Sequence, residues 1–332
     1  MNQTVRDPLC KHSVLVRAMY VAAINVALAS ILTAKHSFCY IERSDQTTFG
    51  CRLSLTQARM HQLVETLEVS PQVLSLMLGE PDYWAPGDFA SLVQKSVPGK
   101  LGKCCKLMLL CEKLTVGGPE FFCQHPRWHI HTKDVPLSVY MTHNLADRTT
   151  SYIVMTDKTH SRLGDIRRRI CASFASGGLP DTKDPFMLHC LVLHEIFLDA
   201  KSVITPLGGS MYDQLDLVDI YSSKPLHERG RAELEDMTIE MHVISQEIDS
   251  VTAGAEMTAM IVRRMQLAHD RYCTLLGSNP IEDGNSKISD TLRYLLESAE
   301  SQKRWLVSYK SRKDIALNLV SLLFHQSKDT IY

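Results

Sequence analysis

The chain has 332 residues with 36 basic and 37 acidic side chains, a net charge of −1, and 45% apolar and 22% charged residues, ordinary values for a folded protein with room for two domains. A balance so close to neutral, with no basic patch interleaved with aromatics, argues against nucleic acid as a partner. Ten cysteines without paired Cys-x-x-Cys spacing fit a reduced, intracellular setting, so the expected location is cytoplasmic.

Ala18 to Ala34 reads AMYVAAINVALASILTA, an uncharged run preceded by Arg6, Lys11 and Arg17. A membrane-spanning helix wants about 20 such residues, slightly more than are present. Ala27-Leu28-Ala29 has the small-residue spacing of a signal-peptidase site, although Arg17 lies inside the apolar core. Three readings stand: an alanine-rich helix packed on the body, a membrane anchor through residues 18–34, and a signal sequence. Residues 1–44 form this first unit.

Ser37 to Glu42 and Cys51 to Ser54 predict short strands around a polar turn over 44–50. Ser54-Leu-Thr-Gln57 has capping-box spacing, which predicts a helix to about Glu68, and Ser70-Pro71 opens another. Residues 79–88 read as loop. Lys106 to Leu114 predicts a buried strand; Leu137 to Thr142 and Ser151 to Thr156 predict a hairpin turned by residues 143–150. A helix is expected over 161–176, ended by Gly177-Gly178. Asp184-Pro185 is a strong start for the next, with Asp as N-cap and Pro at the first position, and Pro206 with Gly208-Gly209 is expected to close it. Body and connection are thus placed at 45–205 and 206–230.

Candidate metal ligands concentrate in Cys123-Gln-His125-Pro-Arg-Trp-His129-Ile-His131, with His143 as an addition. No second ligand pair follows at zinc-site spacing, so the stretch reads as a polar loop ahead of a strand. His194-Glu195 invites comparison with the His-Glu-x-x-His motif, but Leu198 stands where the second histidine belongs and His189 lies on a different face. The glycine pairs 117–118, 177–178 and 208–209 match no phosphate-binding pattern, and no Gly-x-Ser-x-Gly occurs. Enzymatic function is left open, with non-enzyme favoured, and no catalytic or cofactor-binding residue is assigned.

The C-terminal third carries two ladders with alternating steps of three and four residues. Leu234, Met237, Met241, Ile244, Ile248, Val251, Ala255, Thr258, Val262 and Met265 form the first. Ile288, Leu292, Leu295, Ala299, Gln302, Leu306, Tyr309, Lys313, Ala316, Val320 and Leu323 form the second. Such a 3.5-residue repeat lays one apolar stripe along each helix, and the stripe requires a partner. The Gly- and Asn-rich stretch 276–286 between them turns the chain back about residue 281. That fold sets Glu247, Asp249 and Glu256 beside Lys303, Arg304, Lys310, Arg312 and Lys313. Arms of about 60 Å are too long to be buried in a compact body. They are expected to project from it or pack on copies of the chain, which makes a homo-oligomer through the hairpin the expected partner. The units are then 231–325 for the hairpin and 326–332 for a tail. The expected class is α+β, a mixed α/β body followed by a long antiparallel helical hairpin; the α/β/α layering of that body is what the family resemblance given next implies.

Several patches, taken in order, resemble the fungal branch of the CorA-like metal-ion transporter superfamily, in its cytosolic part. They are Leu53-Ser-Leu-Thr with Val69-Ser-Pro-Gln-Val-Leu; Pro126-Arg-Trp-His with Leu137-Ser-Val-Tyr-Met-Thr-His and Ser151-Tyr-Ile-Val-Met-Thr-Asp; Asp184-Pro-Phe-Met-Leu-His-Cys; and Trp305-Leu-Val-Ser-Tyr-Lys-Ser-Arg with Ile315-Ala-Leu-Asn-Leu-Val. Together they span about residues 45–325. In that family an α/β/α body carries long acidic helices and a stalk helix leading into two membrane spans, and five subunits surround an ion path. The resemblance therefore implies a CorA-like fold, self-association, and Mg2+ as a ligand. It carries no regulatory metal position onto a residue of this chain, so the metal site stays unassigned. The Gly-Met-Asn signature that follows the family's first span occurs nowhere in the sequence, which ends at Tyr332. The expectation is a CorA-like domain without transport spans, a non-conducting interaction, assembly or regulatory protein. The alternative is a component or truncated form of a divalent metal-ion transporter at a membrane, and the third reading is an accessory protein or enzyme of fungal specialised metabolism.

Overall fold

The computed structural model describes residues 36–47, 50–53, 55–67, 69–70, 73–74, 86–94, 114–126, 128, 137–146, 148–156, 164–166, 168, 184–276 and 286–329. Among them six strands form one sheet: β1 (His36–Thr47), β2 (Gly50–Leu53), β3 (Gly87–Gln94), β4 (Leu114–Gln124), β5 (Ser138–Asn144) and β6 (Thr149–Thr156). Their order is β2-β1-β6-β5-β4-β3. Neighbours are antiparallel except β1 and β6, which run parallel with His36 opposite Thr150 and Glu42 opposite Thr156.

The β5–β6 hairpin forms where the sequence predicts it, with Arg148 in the left-handed region at φ 58° in its turn. The uncharged run 18–34 lies outside the described residues, and the strand that follows is longer than expected. It takes in the start of the stretch read as a polar turn, because β1 continues through Thr47, which pairs with Gly50. The strand expected over 106–114 falls mostly outside the described residues, whereas β4 starts at Leu114. Gly117-Gly118-Pro119 lies within β4, although such a triplet normally signals a turn. Two contacts explain it. A Cβ at position 118 would overlap the carbonyl of His143, so only glycine lets β4 and β5 come this close. Pro119 pairs with Ala90 at the edge of a register shift, where a missing N–H is tolerated.

The sheet is covered on both faces. Phe122, Tyr140, Ile153, Met155 and Ile41 point to one side, where they pack with Val69, Val73 and the apolar side chains of α1 (Gln57–Thr66). The cap of α1 is Thr56, whose Oγ1 accepts from the Arg59 N–H at 3.4 Å; the capping box at Ser54 is displaced by two residues. Phe121, Val139, Met141, Tyr152 and Val154 point to the other side, against the long helices. Of the helix expected over 161–176, residues 164–166 and 168 are helical and the rest lie outside the described residues.

Three long helices make the third layer: α2 (Met187–Ser223), α3 (Arg231–Leu276) and α4 (Ser286–Asp329). The expected stop at Pro206 does not occur. An interior proline costs a helix about 3 kcal/mol. Beyond it, however, α2 buries Leu207, Met211, Val218 and Tyr221, and each large apolar side chain so buried returns ~1.5–3 kcal/mol. Burial outweighs the lost bond, and the connection expected over 206–230 shortens to residues 224–230. There the Arg229 guanidinium donates to the carbonyls of Ser222 at 2.6 Å and Lys224 at 2.8 Å.

Every rung of the first ladder is buried, and so is every rung of the second except Gln302 and Tyr309, which are half-buried. Lys310 pairs with Asp249 at 2.8 Å and Lys303 with Glu256 at 3.0 Å, and both pairs centre the fold-back between residues 279 and 280. Lys313, a polar rung, is buried and donates to Ser245 Oγ at 2.9 Å while pairing with Asp314. The ladders are closed within one chain, because α2 packs along both arms of the hairpin.

Candidate functional site

The cysteine and histidine candidates sort by strand alternation. Cys123 points from the end of β4 toward α2, His125 follows it, and His189 rises from the first turn of α2 to meet them. Cys123 Sγ lies 3.5 Å from His125 Nε2 and 3.4 Å from His189 Nδ1. All three are buried, so this stretch is a packed strand end, contrary to the polar loop expected from sequence. Burial raises the Cys123 thiol well above its ordinary range and, with His125 adding to it, lowers His189 to about 3. The cluster is therefore a neutral thiol beside a neutral imidazole. Among the described residues no group of three or more His, Cys, Asp and Glu side chains is arranged to hold a metal ion. His143 stands apart in β5, bonded through Nδ1 to Thr150 Oγ1 at 2.8 Å with its ring on the edge of Tyr272. His129 and His131 lie outside the described residues. Glu195 is buried on α2 and His194 half-buried beside it.

A second polar group joins the helices at one end. Asp184 uses Oδ1 to accept from the Phe186 N–H at 2.8 Å, capping the turn that feeds α2. Its Oδ2 receives His269 Nε2 of α3 at 2.8 Å, and His269 Nδ1 lies 3.4 Å from Ser289 Oγ in α4. The order Asp, His, Ser is that of a nucleophile relay. Here, though, the Asp184 and His269 side chains are each 1% exposed, and aromatic rings of Phe186 and Tyr272 pack against the imidazole. One carboxylate and one imidazole thus tie the starts of α2 and α4 to the end of α3, and the arrangement is a structural clasp.

The exposed chemistry lies on the outer side of α2 and α4. Between them runs a groove of about 320 Å³ lined by Phe197, Leu198, Ile204, Trp305 and Tyr309, with Lys201 at its rim. Trp305 is 56% exposed. Beyond it the Arg312 guanidinium stacks 5.4 Å from the Tyr212 ring and donates to the Tyr212 hydroxyl at 2.6 Å, and Tyr212 meets Tyr309 edge-on. A Trp, two Tyr and an Arg beside an apolar groove is the side-chain mixture enriched at protein contacts. Sequence reading quoted Trp305 only as part of a patch and missed this face. The available signal was a set of large side chains on α4, one residue before five of its eleven rungs: Tyr294, Trp305, Arg312, Ile315 and Leu322.

A second groove, of about 650 Å³, opens between α3 and α4 at the far end of the bundle, lined by Thr238, Ile239, His242, Leu317 and Phe324.

Neither a protein-family model nor a curated protein matches the chain. Among solved structures, it is similar to the cytoplasmic domain of ZntB from Vibrio parahaemolyticus RIMD 2210633, at 8% identity over 90% of each chain with a TM-score of 0.45. It is also similar to the full-length CmaX protein, at 12% identity over 87% of this chain and 72% of that one, with a TM-score of 0.47.

Proposed function

We propose that the chain is a CorA-like cytosolic-domain protein that acts by contact, as a non-conducting interaction, assembly or regulatory protein whose three-helix bundle is the contact element. The observation that carries this reading is the face beside the α2–α4 groove, where Trp305, Tyr212 and Arg312 stand exposed around a half-buried Tyr309. The order of layers supports it, since a sheet body followed by long helices is what the sequence resemblance implies. No described helix is long and apolar enough to cross a membrane.

A second reading, a membrane-attached component of a divalent metal-ion transporter, draws on the uncharged run 18–34. Carbonate washing of membranes from cells expressing the full chain separates the two. Release into the supernatant is expected; retention in the pellet after the wash would replace the first reading with the second.

A further inference from the structure

The groove between α2 and α4 carries positive charge that the rest of the chain leaves unanswered. Lys201 stands exposed on its rim, and Arg312 stands exposed past its end, stacked on Tyr212. Other cations of α4 have partners: Lys303 pairs with Glu256, Lys310 with Asp249 and Lys313 with Asp314. Among the described residues neither Lys201 nor Arg312 is paired with a carboxylate. Asp199 accepts from the Ser202 hydroxyl at 3.3 Å, Asp314 is taken by Lys313, and Asp213 and Asp216 on α2 lie beyond ion-pair reach of Arg312. No acidic side chain lines the groove.

The two charges are spaced by the helix that carries them. Lys201 and Tyr212, which holds Arg312, are eleven residues apart on α2. Eleven residues are three turns and about 16 Å, so both point to the same side of the helix. Ile204 lies between them along α2, and Trp305 and Tyr309 come before Arg312 along α4. One amino group of Arg312 is taken by the Tyr212 hydroxyl at 2.6 Å, and the rest of the guanidinium fork is left for a carboxylate.

We propose that this groove binds an amphipathic helix of another protein, one whose apolar residues enter between α2 and α4 and whose carboxylates, eleven residues apart on the same face, meet Lys201 and Arg312. The proposal rests on the reading of the bundle as a contact element and gives the partner its chemistry. A helix laid along a groove reads it with the same rise per residue, so its apolar anchors fall four and seven residues after the first acid. Burial of those anchors against Trp305 supplies most of the affinity, and the two charges select the partner and its register. Phe197 and Ile204 are half-buried between the helices, within reach of a side chain that enters the groove but set back from a flat surface such as a bilayer. Asp213, Asp216 and Asp219, all exposed farther along α2, oppose an extended polyanion.

The test uses the full chain and synthetic alanine-based helical peptides of about 18 residues, each with two glutamates and two leucines at the fourth and seventh positions after the first glutamate. In fluorescence anisotropy, the peptide with glutamates eleven apart should bind at least about fivefold more tightly than peptides with lysines at those positions or with glutamates seven apart, and added salt should weaken it. Exchanging its leucines for alanine should abolish binding. Trp305→Ala should weaken it at least about tenfold, and Lys201→Glu and Arg312→Glu at least about threefold each. Arg312→Glu should in turn favour one of the two peptides in which a single glutamate is exchanged for lysine. All three positions are exposed, and unchanged urea midpoints show that the variants fold. Equal binding of acidic and basic peptides, an acidic peptide indifferent to Lys201→Glu and Arg312→Glu, or no binding up to about 0.5 mM would each overturn the proposal and leave the proposed function standing. Binding to phosphatidylserine–phosphatidylcholine vesicles that Trp305→Ala abolishes would replace the helix with a membrane, and retention in the carbonate pellet as well would overturn the proposed function with it.

Discussion

Trp128 sits on α3 where Gly254 leaves room: a Cβ there would come within 2.7 Å of its Cζ3 atom. The indole cannot retreat, because its Nε1 donates to the Ile196 carbonyl of α2 at 2.9 Å. Gly254→Val should therefore lower stability by about 1–3 kcal/mol, read as a shifted urea midpoint. His189 gives a pH signature. Its folded value of about 3 lies below the ordinary 6.5, because burial, with His125 second, disfavours the charged ring. Between those limits the unfolded chain takes up a proton that the folded chain refuses, so stability is full above pH 6.5 and falls as pH drops through the window. His189→Gln should flatten that slope between neutral pH and pH 4 in denaturant titrations. Residue by residue, little of this was legible in the sequence. Cys123 and His189 are 66 positions apart, and nothing local to either reveals that a strand end and a helix start will meet.

At the scale of elements, legibility follows the range of the forces involved. The two ladders of α3 and α4 could be read rung by rung because helix periodicity is a local property, and Asp249 and Glu256 indicated the pairing of the arms before any coordinates. Polar rungs kept their places too: Lys313 is buried because its long stem reaches Ser245 across the seam. The strand β4 was missed because Gly117-Gly118-Pro119 has turn chemistry and only the neighbouring strands make it sheet. The length of α2 was missed for the mirror-image reason, a local stop signal overridden by burial along α3 and α4. Since Pro206 persists against its own helix, Pro206→Ala should restore a backbone bond to Ser202 and raise the melting temperature, with a gain of up to about 3 kcal/mol. A fall in melting temperature would mean that the helix needs the irregularity to follow its neighbours.

The described residues form three layers, α1, the sheet, and the bundle, with the clasp of Asp184 and His269 fixing the long helices to one another at one end. That end is buried against the sheet, and at the far end α2 meets α3 and α4 in a separate cluster that includes Val218, Tyr221, Leu234 and Val320. A mixed α/β body followed by paired helices could be anticipated from the residues, and the α/β/α layering from the family resemblance. The hairpin was expected to project from the body or to pack on copies of the chain; its inner stripe is covered by α2 of the same chain.

One pairing in the sheet bears on how the chain is made. β1 joins β6, whose residues lie more than a hundred positions later. At ribosomal speeds of about 5–20 residues per second the first strand therefore waits several seconds for its neighbour to be synthesised. Through that interval its hydrogen-bonding edge is unmatched and open to adventitious strands, a vulnerability that falls on the nascent polypeptide and vanishes once β6 has docked.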